Sequence, residues 1–242
     1  MKSKLRCAVA IVMLGLAGAV RAGEDAWTFK VTPYLWGAGV NGDIGTPTLA
    51  LPVDVTFQDA LKDLDFTFCV AAEANLGPWS FLMDGVFVSL SDDSVSTPIG
   101  NAEVDYEQWL LQGTALYQIY AEKQTLVDAG AGLRLFSSDT TVNIPTERAD
   151  LNPSDTWTDL VLVARVRQTF MDGFYGLAYA DIGGFGLASD LTWQIMIGAG
   201  YELTEQVAVV GFYRYLDYDY SADGFEYDAA DDGFGIGLEF NF

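Results

Sequence analysis

A chain of 242 residues with 34 acids against 12 lysines and arginines carries a formal charge of -22, and it contains no histidine. That charge repels nucleic acid, and the missing histidine removes the usual base of hydrolytic sites. Half the residues are apolar, yet beyond the N-terminal segment no run reaches the roughly 18 uncharged apolar residues of a transmembrane helix.

Residues 1–22 read as a signal peptide that is removed. Lys2, Lys4 and Arg6 precede the apolar stretch Cys7–Val20, and Val20-Arg21-Ala22 supplies a small-x-small cleavage site. Residues 23–242 then form a single domain. Four cations leave with the signal, so eight face 34 acids and the net charge becomes -26. Cys69 is the one cysteine left, which excludes an intrachain disulfide.

Ten strands are expected along the rest: Ala26–Gly39, Phe66–Asn75, Trp79–Ser91, Glu103–Tyr120, Thr125–Ser137, Trp157–Phe170, Phe174–Ile182, Leu191–Leu203, Gln206–Tyr218 and Gly233–Phe242. The eighth shows the pattern best. Leu191, Trp193, Ile195, Ile197, Ala199 and Tyr201 alternate with Thr192, Gln194, Met196, Gly198 and Gly200, so one face is apolar and the other small or polar. The seventh strand is ambiguous by parity. Connections alternate between short turns, such as Leu76-Gly77-Pro78 and Thr204-Glu205, and long segments at 41–65, 92–102, 139–156, 183–190 and 219–232. Tight turns at one end and long loops at the other are the signature of an outer-membrane barrel, and an even strand count leaves both termini on the periplasmic side. Pro33, inside the first strand, is expected at an edge or bulge. Phe57–Leu64 reads as a short amphipathic helix packed across the barrel mouth.

Aromatic residues mark two levels. Trp27, Trp79, Tyr120, Phe170, Phe174, Tyr201 and Phe242 fall at the expected periplasmic ends, and Trp36, Phe66, Trp157 and Trp193 at or near the opposite ends. Rings prefer the membrane interface, so two girdles are expected.

The last strand resembles the C-terminal targeting strand of bacterial outer-membrane barrels at Gly237, Phe240 and Phe242, which implies recognition by the barrel-assembly machinery. Thr32-Pro33-Tyr34-Leu35-Trp36, Thr56–Phe66, Leu90-Ser91-Asp92-Asp93, Asp181–Gly186, Ser189–Gln194 and Tyr213-Arg214-Tyr215-Leu216 resemble a family of uncharacterised proteobacterial outer-membrane β-barrel proteins. The resemblance implies location and architecture, and no activity.

The polar face carries the candidate site. Lys30, Glu73, Asp84, Asp128, Arg134, Arg165, Arg167, Glu202, Arg214 and Glu239 fall opposite the apolar stripe, with Gln108, Gln112, Gln118 and Gln194. An Arg or Lys facing lipid at the midplane costs about 2–4 kcal/mol, so these groups are expected to point inward. The expectation is a lumen filled by mutual pairing; the alternative is a charged pore lining.

The remaining acids crowd the long connections: Asp59, Asp63 and Asp65, then Asp92 and Asp93, then the run from Asp217 to Asp232. A solvated surface is the plain reading, and divalent cations bridging these acids to lipopolysaccharide phosphates are a further one. The reading as a whole is an all-β, antiparallel, up-and-down transmembrane β-barrel of about ten strands (eight to twelve) in the outer membrane of a Gram-negative bacterium. It expects no catalytic, cofactor or metal residues, no enzymatic activity, a structural or surface role through acidic outer loops, and outer-membrane lipid as a partner. A narrow, porin-like channel for small solutes is the alternative.

Overall fold

A computed structural model describes residues 26–46, 49–60, 64–97, 100–143, 154–222 and 224–242. The expected signal peptide, with its cleavage site, lies outside the described residues, as do Asp63 and Asp223. The strands are β1 (Thr28–Thr46), β2 (Leu49–Val55), β3 (Leu64–Leu76), β4 (Trp79–Thr97), β5 (Gly100–Glu122), β6 (Thr125–Asn143), β7 (Ser154–Met171), β8 (Phe174–Gly184), β9 (Leu191–Glu202), β10 (Val207–Ala222) and β11 (Phe225–Asn241), with one four-residue helix, α1 (Phe57–Ala60).

Each strand from β3 to β11 pairs antiparallel with the next, and β1 pairs with both β3 and β11. The sheet therefore closes into a ten-stranded antiparallel barrel, with β2 as an eleventh strand outside the ring. Closure leaves no ring strand with an open edge along its full length.

Three expectations need correction. The segment 41–65 is not a plain loop: β1 runs on to Thr46, and β2 folds back on Val40–Thr46, since Leu49, Leu51, Val53 and Val55 themselves alternate. The segments 92–102 and 219–232 are also largely strand among the described residues. The β4–β5 ladder continues to Thr97↔Gly100 and the β10–β11 ladder to Ala222↔Phe225, which keeps their amides paired. Pro33 sits at neither an edge nor a bulge. Pairing with β11 is missing only at Thr32 and Pro33 and resumes at Tyr34↔Gly237 in the same register, as expected for a residue with no N–H to donate.

The expected mouth-spanning helix is α1 alone among the described residues. Its Phe57 does not cross the mouth: a Cβ on Gly37, which would point outward from β1, would lie 2.9 Å from the Phe57 ring. The absence of a side chain at Gly37 lets the ring rest on the outer wall.

Burial follows the period of two. On β9, Thr192 and Gln194 are buried while Ile195, Ile197 and Tyr201 are exposed. Leu35, Met83, Ile119, Leu133 and Phe234 likewise point out of the ring, as required of a wall solvated by hydrocarbon. The lower aromatic set forms an outward girdle; at the opposite end Trp193 stacks on Tyr215 with ring centroids 5.0 Å apart. Trp36 and Trp157 do not belong to that girdle. They share the parity of Lys30 and Arg165 and turn into the lumen, where Trp157 is only 5% exposed.

Ile197 is 63% exposed midway between the Tyr201 and Trp193 levels. Ile197→Arg should therefore lower unfolding stability in lipid vesicles by about 2–4 kcal/mol, the cost of a cation at the midplane. Denaturant titration of both proteins checks this, and an unchanged midpoint would mean that the face does not meet hydrocarbon.

Candidate functional site in the barrel lumen

The inward residues divide the lumen into three levels. Nearest the long hairpins is an aromatic plug. Phe136 of β6 packs on Tyr218 and Trp157 at 4.6 and 4.7 Å, and Trp157 stacks on Tyr220 at 3.9 Å with the rings 4° from parallel. Phe136, Tyr218 and Tyr227 are inaccessible to solvent. Asp159 fastens the β8–β9 turn beside this level by accepting from the Ser189 backbone N–H at 2.8 Å and its hydroxyl at 2.7 Å. That turn passes through Gly184, Phe185 and Gly186 at positive φ. A Cβ on Gly184 would meet the Ser189 carbonyl oxygen at 2.6 Å, so glycine is needed there.

The middle level is a buried polar relay. Arg134, fully buried, pairs through Nη2 with Asp181 and donates from Nε to Gln112 at 3.0 Å and from Nη1 to Thr192 at 2.8 Å. Gln112 donates to Asp181 and to the Tyr179 hydroxyl. Gln194 donates to Asp181 and accepts from Arg214 Nε at 2.8 Å. Arg214 Nη1 pairs with Asp84 at 2.8 Å, and Tyr34 donates to the other Asp84 oxygen at 2.6 Å. The Arg214 guanidinium also lies 4.8 Å from the Trp36 ring centroid, a cation–π contact that gives Trp36 its inward role.

The level nearest the short turns is a mixed-charge cavity of about 470 Å³ that rises from the Gly77-Pro78 turn to Arg214. Arg165 bridges Glu73 at 3.0 Å and Asp128 at 2.8 Å. Lys30 lies 3.3 Å from Glu239 and 3.8 Å from Glu73. Arg167 reaches Glu202 at 3.6 Å and stacks 3.7 Å over the Tyr175 ring. All ten sequence-selected charged residues thus lie in these two levels, except that Glu202 sits half exposed at the rim.

Sequence reasoning missed Asp181, Asp159 and Asp231, which are all buried. Asp181 lies on β8, whose parity was ambiguous because Ala178, Ala180 and two glycines blur the alternation. Asp231 belongs by composition to the acid-rich run 217–232, but it points inward and accepts from Gln108 at 3.0 Å. Its outward neighbour Asp232 accepts from Tyr213. At the far end of the same hairpin, beyond the apolar band, Asp219 faces Asp228. Partial burial, then repulsion from Asp228 and Asp190, raises the Asp219 carboxyl above the usual carboxylate range.

The described residues contain no group of three or more metal-ligating side chains. Each lumen carboxylate of the middle and lower levels is matched by a cation or amide donor, an arrangement that fills space and neutralises charge.

A closed barrel with lipid-facing aliphatics, two aromatic levels and charges turned inward defines an integral outer-membrane protein. The chain belongs to the outer membrane protein beta-barrel domain family, whose model matches residues 8–242. The family places it in the Gram-negative outer membrane. No curated protein matches the sequence. Among solved structures, the outer membrane protease OmpT from Escherichia coli is similar at 10% identity and a TM-score of 0.56, covering 89% of this chain and 96% of that one. Neisserial surface protein A is similar at 12% identity and a TM-score of 0.39, covering 89% and 97%. Ail, the attachment invasion locus protein of Yersinia pestis, solved with the heparin analogue sucrose octasulfate, follows at 10% and 0.42, covering 90% and 99%. The likeness to OmpT is one of fold.

Removing Arg134 would strand Asp181, since both side chains are inaccessible to solvent. Breaking a buried pair costs about 3–5 kcal/mol, while replacing both partners by apolar groups is often neutral. Arg134→Met should therefore destabilise strongly, and Arg134→Met with Asp181→Leu should recover most of the loss. Unfolding titrations of the two variants in micelles test this; equal destabilisation would mean that the pair is not the unit.

Proposed function

We propose that this protein is a non-enzymatic, non-conducting surface protein of the outer membrane. The observation that carries the reading is the aromatic plug. Solute entering the cavity between Lys30, Glu73 and Arg165 meets the Arg134–Asp181 relay and then the packed rings of Phe136, Trp157 and Tyr218. A protein with a sealed lumen acts through what it displays, and here that is the extended β4–β5 and β10–β11 hairpins with their acids. Lipopolysaccharide, bridged by divalent cations, is the partner such acids suit. The chain has no histidine to serve as a base, and the acids of the middle and lower levels are each matched by a cation or amide donor.

Residues 1–22 direct export and are then removed, and Gly237, Phe240 and Phe242 present the terminal strand to the assembly machinery. The second reading, a narrow channel, draws on the 470 Å³ cavity, which already covers one end of the path. It would need an exit through the two levels above.

Planar bilayers separate the readings. The wild-type protein should insert without stepwise conductance, whereas a variant combining Arg134→Ala and Tyr218→Ala, which opens the relay and the plug together, should show steps. Unitary conductance from the wild type would overturn the sealed lumen and promote the channel.

A further inference from the structure

The cavity at the short-turn end is held open by the backbone around it. Two bulky rings face it, Tyr175 of β8 and Phe212 of β10. Each is paired across the sheet with an inward glycine, Tyr175 with Gly200 and Phe212 with Gly235. A Cβ on either glycine would collide with the ring beside it, so both rings rest against the wall and leave the centre empty. At the aromatic level above, Phe136 and Tyr218 are paired with Trp157 and Ala229. They have no glycine seat there, and they pack on each other.

The walls of this space are of two kinds. Leu82, Leu177, Met196 and Phe212 turn inward and stay half-buried along it, an apolar surface inside a lumen that is otherwise polar. Its charged lining comprises four cations and four acids, so an ion of either sign meets no net attraction. The pairs differ in tightness. Arg165 holds Glu73 and Asp128 at 3.0 and 2.8 Å. Around Tyr175 the contacts are longer: Lys30 to Glu239 at 3.3 Å, the Tyr175 hydroxyl to Glu239 at 3.3 Å, and Arg167 to the half-exposed Glu202 at 3.6 Å. Arg167 is stacked on the Tyr175 ring, which fixes the plane of its guanidinium.

We propose that this cavity is a binding site for a small zwitterion with an apolar side group, the class of an apolar amino acid. It is entered from the short-turn end, which outer-membrane barrels turn to the periplasm. Arg167 receives the carboxylate, for which a planar guanidinium is suited, and Glu239 receives the ammonium. The apolar wall at Leu177, Met196 and Phe212 takes the side group. A few placed polar groups against an apolar wall, in a volume of about 300–1,000 Å³, is the usual form of a small-molecule site. The site lies below the Arg134–Asp181 relay, so it stands whether or not the plug above conducts.

Equilibrium dialysis of radiolabelled L-phenylalanine against the protein in lipid nanodiscs, with empty nanodiscs as the blank, reads this directly. The wild type should bind phenylalanine saturably. 3-Phenylpropionate and 2-phenylethylamine, which each keep one of the two charges, should compete about tenfold less well or worse, as expected for one lost charge-assisted contact. Arg167→Gln should weaken phenylalanine by about tenfold on the same grounds and erase its advantage over 2-phenylethylamine. Gly200→Ala and Gly235→Ala, which unseat Tyr175 and Phe212 into the cavity, should weaken all three compounds. Leu162→Trp, on the lipid-facing side of β7, should bind as the wild type does. Heat-modifiable migration confirms that each variant is folded, and Arg167→Gln carries the test if a glycine variant is not. No saturable binding by the wild type, equal binding of the three compounds, or undiminished binding by folded Arg167→Gln would each overturn the proposal.

Discussion

Everything in this molecule depends on the β1–β11 ladder, because hydrocarbon offers no partner to a backbone amide. Fourteen residue pairs, from Lys30↔Asn241 to Gly45↔Glu226, close the sheet on itself. Gly233, Gly235 and Gly237 lie on the inward side of that seam. A Cβ on Gly233 would collide with the Gly37 carbonyl oxygen, and one on Gly235 with the Phe212 ring, so the glycines allow the first and last strands and their neighbour to approach. Once the ring is closed, period two does the rest. Each outward position meets lipid and each inward position must find a protein partner.

The inward charges follow from that constraint. Sending five cations to lipid would cost more than their desolvation inside, provided each finds an acid. Arg134, Arg165 and Arg214 do so at 3.0 Å or less. The aromatic level extends the same logic: towards the long hairpins the interior is filled by Phe136, Trp157, Tyr218 and Tyr227 instead of ion pairs, and on that packing the proposed seal rests.

The strand period, the short-turn end and the direction of the lumen charges were legible in the sequence because a two-residue period leaves only two choices per strand. Parity also held the information that Trp36 and Trp157 point inward, since Lys30 and Arg165 share their strands; position near a strand end was the weaker signal, and it misled. Asp181 was hidden by small residues that carry no facing preference. β2 was hidden because Gly42, Gly45 and Pro52 look like loop composition, although its aliphatics alternate. The position of Phe57 on the outer wall depends on the missing side chain at Gly37, a tertiary fit that no local pattern announces.

Cys69 offers the most direct test of a packed outer lumen. It points inward from β3, is 4% exposed, and belongs to the same buried cluster as Tyr34, Phe136 and Tyr218. With the signal segment removed it is the chain's one thiol. In folded protein a small, positively charged methanethiosulfonate should fail to modify it, and modification should appear only along the denaturant transition that unfolds the barrel. Rapid, complete labelling of the folded protein would mean that water reaches Cys69, and the sealed lumen would be wrong.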